Sequence, residues 1–396
     1  MTRPLLYVLV DAVRHDYVSP ARTPFLAELG SQCGRARMRP LLGYSDSIRA
    51  AIFTGRYPDE TGYWMEYCFR PNETPLSPYA RLAPLDALPN DFARRGVKFV
   101  LSQTLVRRTA RRHGYAQLSL RHLPFRSLDR FDWTLRREMT APAQLGAPTL
   151  FDRLSASGLP WTYLDASKIG AKNLLRAVDE LDPATAFAFV YLHQIDMASH
   201  VFGIEARLFE RTLQRTDALA CAVVERARRR LPRLEVAVFS DHGMSPVDRI
   251  AAYPMLWRHA GFPDRFCFAL DATMVRLWYQ DESPSLRDEL RRIVAAGAPG
   301  RFLSEDELAG FHLAFGDRRY GDEIFLLEPR TAIFPNFHSL LKPKAMHAYD
   351  PDGAEQQGIS IGLPAHDGVT ELVELAPHAL ELLELEPSVS DLALAR

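Results

Sequence analysis

Leu5 to Val10 (LLYVLV) is an unbroken apolar run that ends in Asp11. The run is far shorter than the roughly 20 residues that cross a bilayer. It fits a strand buried on both faces, as in parallel sheets covered by helices. The arrangement recurs. AFAFVYL (186–192) leads into His193, with Asp196 and His200 just beyond, and VAVFS (236–240) leads into Asp241, His242 and Gly243. In open α/β sheets, ligands bind at the carboxyl ends of the strands. The spacing therefore gathers Asp and His on one edge of a sheet.

Between these runs the pattern is helical. Thr23-Pro24 opens a short helix that Gly30 closes, and residues 46–54 (DSIRAAIFT) form another, stopped by Gly55 and Pro58. A helix from Thr149 (TLFDRLSASG) precedes a strand (WTYLDA), residues 205–230 make a long amphipathic helix, and ELVELAPHALELLEL (371–385) ends the chain's regular structure as a helix. The alternation predicts an α/β fold: a doubly wound, mostly parallel sheet with helices on both faces. Two stretches depart from it. Residues 66–145 are rich first in Pro and then in Arg, and residues 250–335 carry a helix near 285–295 and a strand at 323–328. Both are read as insertions into one domain spanning 1–396, the first as a cap.

Lys and Arg total 48 against 49 Asp and Glu, a net charge of −1. Bulk charge therefore makes no case for binding a nucleic acid polymer or a membrane. Cys33, Cys68, Cys221 and Cys267 lack the paired spacing of a disulfide framework or a zinc ribbon. The N-terminal apolar run is too short for a secretory core and has no small-residue cleavage site. A cytoplasmic location is expected, and the oligomeric state is open.

Taken singly, the Asp and His residues have ordinary uses. An Asp after a strand is commonly a cap, and Asp196 with His200 at i, i+4 is often a solvated pair. Three strand ends carrying metal-type ligands together outweigh those uses. The motifs around them resemble those of the alkaline phosphatase superfamily, and within it the nucleotide pyrophosphatase/phosphodiesterase branch. LVDAVRHD matches a strand ending in a metal-binding Asp, here Asp11. SDSIRAAIFTGRYPDETG matches a nucleophile ten residues before the Gly of a T-G-x-x-P motif, which selects Ser45 over Ser47 by counting back from Gly55. DMASH matches D-x-x-x-H (Asp196, His200), SDHGM is intact (Asp241, His242), and HAYD matches H-G-Y-D (His347, with His338 and His366 as alternatives).

The resemblance spans residues 11–347 and implies a single catalytic domain with an alkaline phosphatase-like core. It implies a small phosphate-ester substrate, a phosphodiesterase or pyrophosphatase reaction, and a phosphoseryl intermediate on Ser45 at the start of a helix. It also implies two divalent cations, one held by Asp11, Asp241, His242 and Ser45, the other by Asp196, His200 and His347. Imidazole and carboxylate donors favour zinc, with manganese as the alternative. One departure concerns a phosphate-contacting Asn of the family, four residues after Gly62, where this chain has Glu66. Glu66 is a substrate-binding candidate whose carboxylate repels a phosphate dianion unless it is protonated or paired with a cation. Arg107, Arg108, Arg111, Arg112 and Arg121 are either ligands for a substrate anion or, in preference, a solvated basic face. Tyr63, Trp64 and Phe69 are assigned to packing ahead of stacking on substrate. A phosphomonoesterase is the runner-up, followed by phosphonate and sulfate ester hydrolases. A sulfatase calls for C/S-x-P-x-R, and SDSIR from Ser45 to Arg49 has Ile where Pro is needed. The alternative from another class is a catalytically silent, metal-stabilised binding protein.

Overall fold

Alternate side chains of the first strand, β1 (Leu5–Val10), enter two different cores. Leu5, Tyr7 and Leu9 pack in one, and Leu6, Val8 and Val10 in the other. A strand so placed has no solvent face, which is why the run holds no charged residue. The computed structural model describes residues 3–88, 91–116, 118, 120, 122–339 and 341–385. Arg121 lies outside the described residues.

The central sheet adds β2 (Arg35–Arg39), β3 (Trp161–Asp165), β4 (Phe187–Leu192), β5 (Glu235–Phe239), β6 (Gly358–Ile361) and β7 (Val369–Glu371). Its order is β7-β2-β6-β5-β1-β4-β3. β3, β4, β1 and β5 run parallel, and β6 runs antiparallel to β5 and β2. One face is covered by the helices Pro24–Cys33, Ala166–Asp179 and Arg207–Arg230. The other is covered by α1 (Ser45–Thr54), Leu150–Ala156 and Leu375–Leu382. This is the doubly wound architecture expected from the sequence. In the parallel register Val10 pairs with Leu192 and Leu9 with Phe239. The register brings the ends of β1 and β4 level and leaves β5 one residue short of them, so Asp11 and His193 follow side by side and Asp241, two residues past β5, emerges on the same edge.

Two helix limits differ from the sequence reading. Gly30 does not stop its helix, which runs on to Cys33 and ends at Gly34, φ 83°. A Cβ at Gly30 would sit 3.2 Å from Arg35 Cβ, so this glycine serves close packing. The C-terminal helix starts at Leu375, not at 371, because Val369–Glu371 pairs with β2 and a 3-10 turn follows.

Residues 66–145 are less irregular than their composition suggests. Their prolines at 78 and 84 sit in 3-10 turns over Ser77–Ala87. A helical arm follows: α2 (Asp91–Leu101), a π turn (Ser102–Val106) and α3 (Arg107–His113). Strands Tyr67–Phe69 and Phe131–Trp133 pair antiparallel. Residues 266–327 supply a second, four-stranded antiparallel sheet in the order Phe266–Leu270, Met274–Tyr279, Glu323–Leu327, Gly300–Phe302. The two stretches share one core, where Phe69 and Phe131 lie 5.5 and 5.1 Å from the Trp278 ring.

One packing contact is sensitive to pH. Tyr7 Oη donates to the Leu375 carbonyl at 2.9 Å and lies 2.8 Å from His378 Nδ1. Burial pushes the His378 imidazole below its ordinary value, against a weaker opposing pull from Glu381. The folded state therefore binds this proton less well than the unfolded chain. Its contribution to stability is complete above the unfolded value near 6.5 and is lost as pH falls below that value and through the lower folded one. The unfolding midpoint should drop between pH 7.5 and 5.5, and His378→Gln should reduce that drop.

Candidate active site

The loops after β1 and β5 are tied together. Val13 N–H donates to Ser240 Oγ at 2.8 Å, and Ser240 Oγ donates to the His242 carbonyl at 2.8 Å. Asp11 is fixed by its own N–H, which donates to the Leu192 carbonyl at 2.9 Å, and by Tyr191 Oη, which donates to Oδ2. Asp196 and His200 lie one turn apart on α4 (Gln194–Phe202), which begins directly after β4. Ala12 and Ala348, next to Asp11 and His347, hold positive φ of 62° and 65°. Such conformations cost an L-residue on the order of 1 kcal/mol and gather where side chains must be aimed.

The side chains form two overlapping groups. The ligand atoms of Asp196, His200 and His347 all lie within 4.8 Å of one another, and so do those of Asp11, Asp196 and His242. Asp196 belongs to both. Asp241 Oδ2 is 3.6 Å from His242 Nε2, and Asp11 Oδ1 is 3.2 Å from the same nitrogen. The His242 and His347 rings stack 3.7 Å apart. Ser45, first residue of α1, places Oγ 3.4 Å from His242 Nε2. The first-turn N–H groups of a helix and its dipole favour an anion at this position.

The electrostatics call for positive charge. His242 Nδ1 lies 2.7 Å from the Gly243 carbonyl and His200 Nδ1 lies 2.8 Å from that of Ala345. Each Nδ1 therefore carries a proton, and each Nε2 faces carboxylates. Both oxygens of Asp241, and Oδ1 of Asp11 and of Asp196, are buried without a hydrogen-bond partner. Either protons or cations must hold such a group together. Burial, then the charge of Asp11, pushes the Asp241 carboxyl up to about 8. Burial disfavours the His242 cation, yet Asp241 and Asp11 raise it to about 10. At His200, Asp196 likewise outweighs burial and raises the imidazole. His347 is pushed well down by burial and by His242 and His200. Divalent cations fit this set of three carboxylates and three imidazoles, and their binding displaces the protons.

Of the remaining sequence candidates, His193 precedes α4 and joins neither group. His338 joins neither group and lies with Nε2 2.8 Å from Asp271 and Nδ1 3.9 Å from Glu66 Oε2. His366 is exposed beside Glu374. Glu66 lines a cavity of about 300 Å³ together with Asp46, Arg49, Tyr63, Trp133 and Lys168. Trp64 and Tyr63 are buried. Sequence reasoning missed Arg49, which pairs with Asp46 and lies 4.9 Å over the Tyr191 ring. It also missed Tyr44, whose ring stands 5.6 Å from His347 and 5.5 Å from His338. The only signal for either was adjacency to Ser45 or one helical turn from it.

A family model described as type I phosphodiesterase / nucleotide pyrophosphatase matches residues 5–258. The chain belongs to that family. This nucleotide pyrophosphatase/phosphodiesterase relative is thus a metal-dependent phosphoric ester hydrolase of the alkaline phosphatase superfamily. The fold agrees. Murine ectonucleotide pyrophosphatase/phosphodiesterase 5, in an inactive form complexed with AMP, superposes with a TM-score of 0.66 at 14% identity, covering 97% of this chain and 96% of its own. The human counterpart gives 0.67 at 12% identity with the same coverage. No curated protein matches.

Proposed function

We propose that this family member cleaves phosphodiester or pyrophosphate bonds through a phosphoseryl intermediate on Ser45, at a centre built for two divalent cations. The observation that carries the proposal is Ser45 Oγ, at a helix N-terminus and 3.4 Å from His242 Nε2, beside two ligand groups that share Asp196. Asp11, Asp241 and His242 would hold one cation and Asp196, His200 and His347 the other, zinc by donor type or manganese. Bound there, the cations lower the pKa of a coordinated hydroxyl and act as Lewis acids toward phosphoryl oxygens. Ser45 Oγ then forms its bond to phosphorus as the bond to the leaving oxygen breaks. The α1 N–H groups take the charge of the phosphoryl oxygens, and water later cleaves the Ser45 ester. Glu66 and Arg49 line the cavity that receives the rest of a small substrate.

Bis-p-nitrophenyl phosphate should be hydrolysed in preference to p-nitrophenyl phosphate and to the phosphonate and sulfate analogues. Chelation should lower turnover by about a thousandfold or more, with recovery on adding zinc or manganese. Acid quenching during turnover should leave labelled phosphate on the peptide that carries Ser45. Hydrolysis indifferent to chelator, or label on another residue, overturns the proposal.

A further inference from the structure

The helical arm over residues 91–113 carries apolar side chains on two sides: Val97, Leu101, Val106 and Ala110 pack into the shared core, and others face outward. Its inward side chains include cations: Arg95 and Lys98 are only 6% and 3% exposed. They donate to the carbonyls of Ser339 and Leu123 and lie 4.9 and 4.8 Å over the rings of Phe334 and Phe125. Its exposed side chains include large apolar ones beside Gln103 and Thr104. Phe99, Val100 and Leu105 are 58%, 59% and 47% exposed. Beyond the π turn, Arg107, Arg108, Arg111 and Arg112 of α3 are also exposed. From Phe92 to Leu128 the sequence contains no Asp or Glu. The chain-wide charge of −1 conceals this segregation.

A surface helix normally turns its apolar stripe to the core and its charges to water. An exposed apolar trio in addition to that stripe, with an unrelieved basic patch beside it, marks a surface that something else covers. A second copy fits badly, because a two-fold contact would set each arginine cluster against its mate. A nucleic acid would use the arginines but gains little from aliphatic Val100 and Leu105. An anionic bilayer uses both: headgroup phosphates pair with the guanidinium groups, and the apolar side chains enter the acyl boundary. Among the described residues no helix is long and apolar enough to cross a membrane, so the contact is peripheral. We propose that the outer face of α2 and α3 docks on the surface of an anionic lipid bilayer.

Flotation of the full chain with vesicles tests this. Binding is expected on phosphatidylcholine–phosphatidylglycerol vesicles, little on phosphatidylcholine alone, and loss at high salt. Replacing Arg107, Arg108, Arg111 and Arg112 by Gln, or Phe99, Val100 and Leu105 by Ser, should each cut partitioning by about tenfold or more. Both variants should keep the wild-type melting curve and rate on bis-p-nitrophenyl phosphate. Val100→Ser alone serves if the triple variant melts early. Several outcomes overturn the proposal: no flotation, equal binding to neutral vesicles, or binding that either variant leaves intact. So do oligonucleotide binding without flotation and self-association that the serine variant abolishes.

Discussion

Ser45→Ala should lower kcat on bis-p-nitrophenyl phosphate on the order of ten-thousand-fold, about 5.5 kcal/mol of barrier, and abolish phosphate trapping. The size of the effect follows from the site. Ser45 Oγ combines the 3.4 Å contact to His242 with a helix N-terminus, whereas the Tyr191 hydroxyl is engaged in donating to Asp11 Oδ2. Fold and metal content should survive, because the helix keeps its packing through Ile48, Ala51 and Ile52. Steady-state kinetics on metal-replete protein, with the melting curve as control, checks this. A variant retaining a tenth of wild-type turnover would transfer the nucleophile's role to water and remove the covalent intermediate.

The second large effect concerns stability. Arg276 and Asp271 are both wholly buried and paired at 2.7 Å. Asp271 also lies 2.8 Å from His338 Nε2 and accepts from Tyr67 Oη at 3.0 Å. Burial alone would push its carboxyl up, but the Arg276 charge and His338 hold it far below the usual range. Asp271→Asn strands a guanidinium in the core, at a cost of about 3–5 kcal/mol. Urea unfolding should show the loss, and adding Arg276→Met should restore a large part of it, since removing both charges is far cheaper than removing one. If the double variant is no more stable than Asp271→Asn, the cost lies in the bonds to His338 and Tyr67 and not in the stranded cation.

How far the sequence speaks depends on the range of each contact. Asp11, Asp196, Asp241 and His242 were legible because an apolar run fixes a strand, and a strand's end fixes which residue comes next. His347 follows a strand of only two residues, Ala345–Met346. Only the order of motifs singled it out from His338 and His366. Gly30 misled because a glycine that ends a helix and one that admits a neighbouring side chain look alike in one dimension. The Asp271–Arg276 pair was hidden for another reason. It straddles a tight antiparallel turn, and its other partners, Tyr67 and His338, come from 204 and 67 residues away. The exposure of Phe99, Val100 and Leu105 was equally silent, since periodicity marks an apolar stripe but not which of its members the core leaves uncovered.

The core shared by residues 67–133 and 251–337 has a bearing on biosynthesis. Phe69 and Phe131 leave the ribosome long before Trp278, the ring they pack against. At about 5–20 residues per second, the nascent chain carries these aromatic groups uncovered for roughly 10 s or longer. For that interval the half-made core is a natural client of chaperones, and it can be completed only when most of the message has been read.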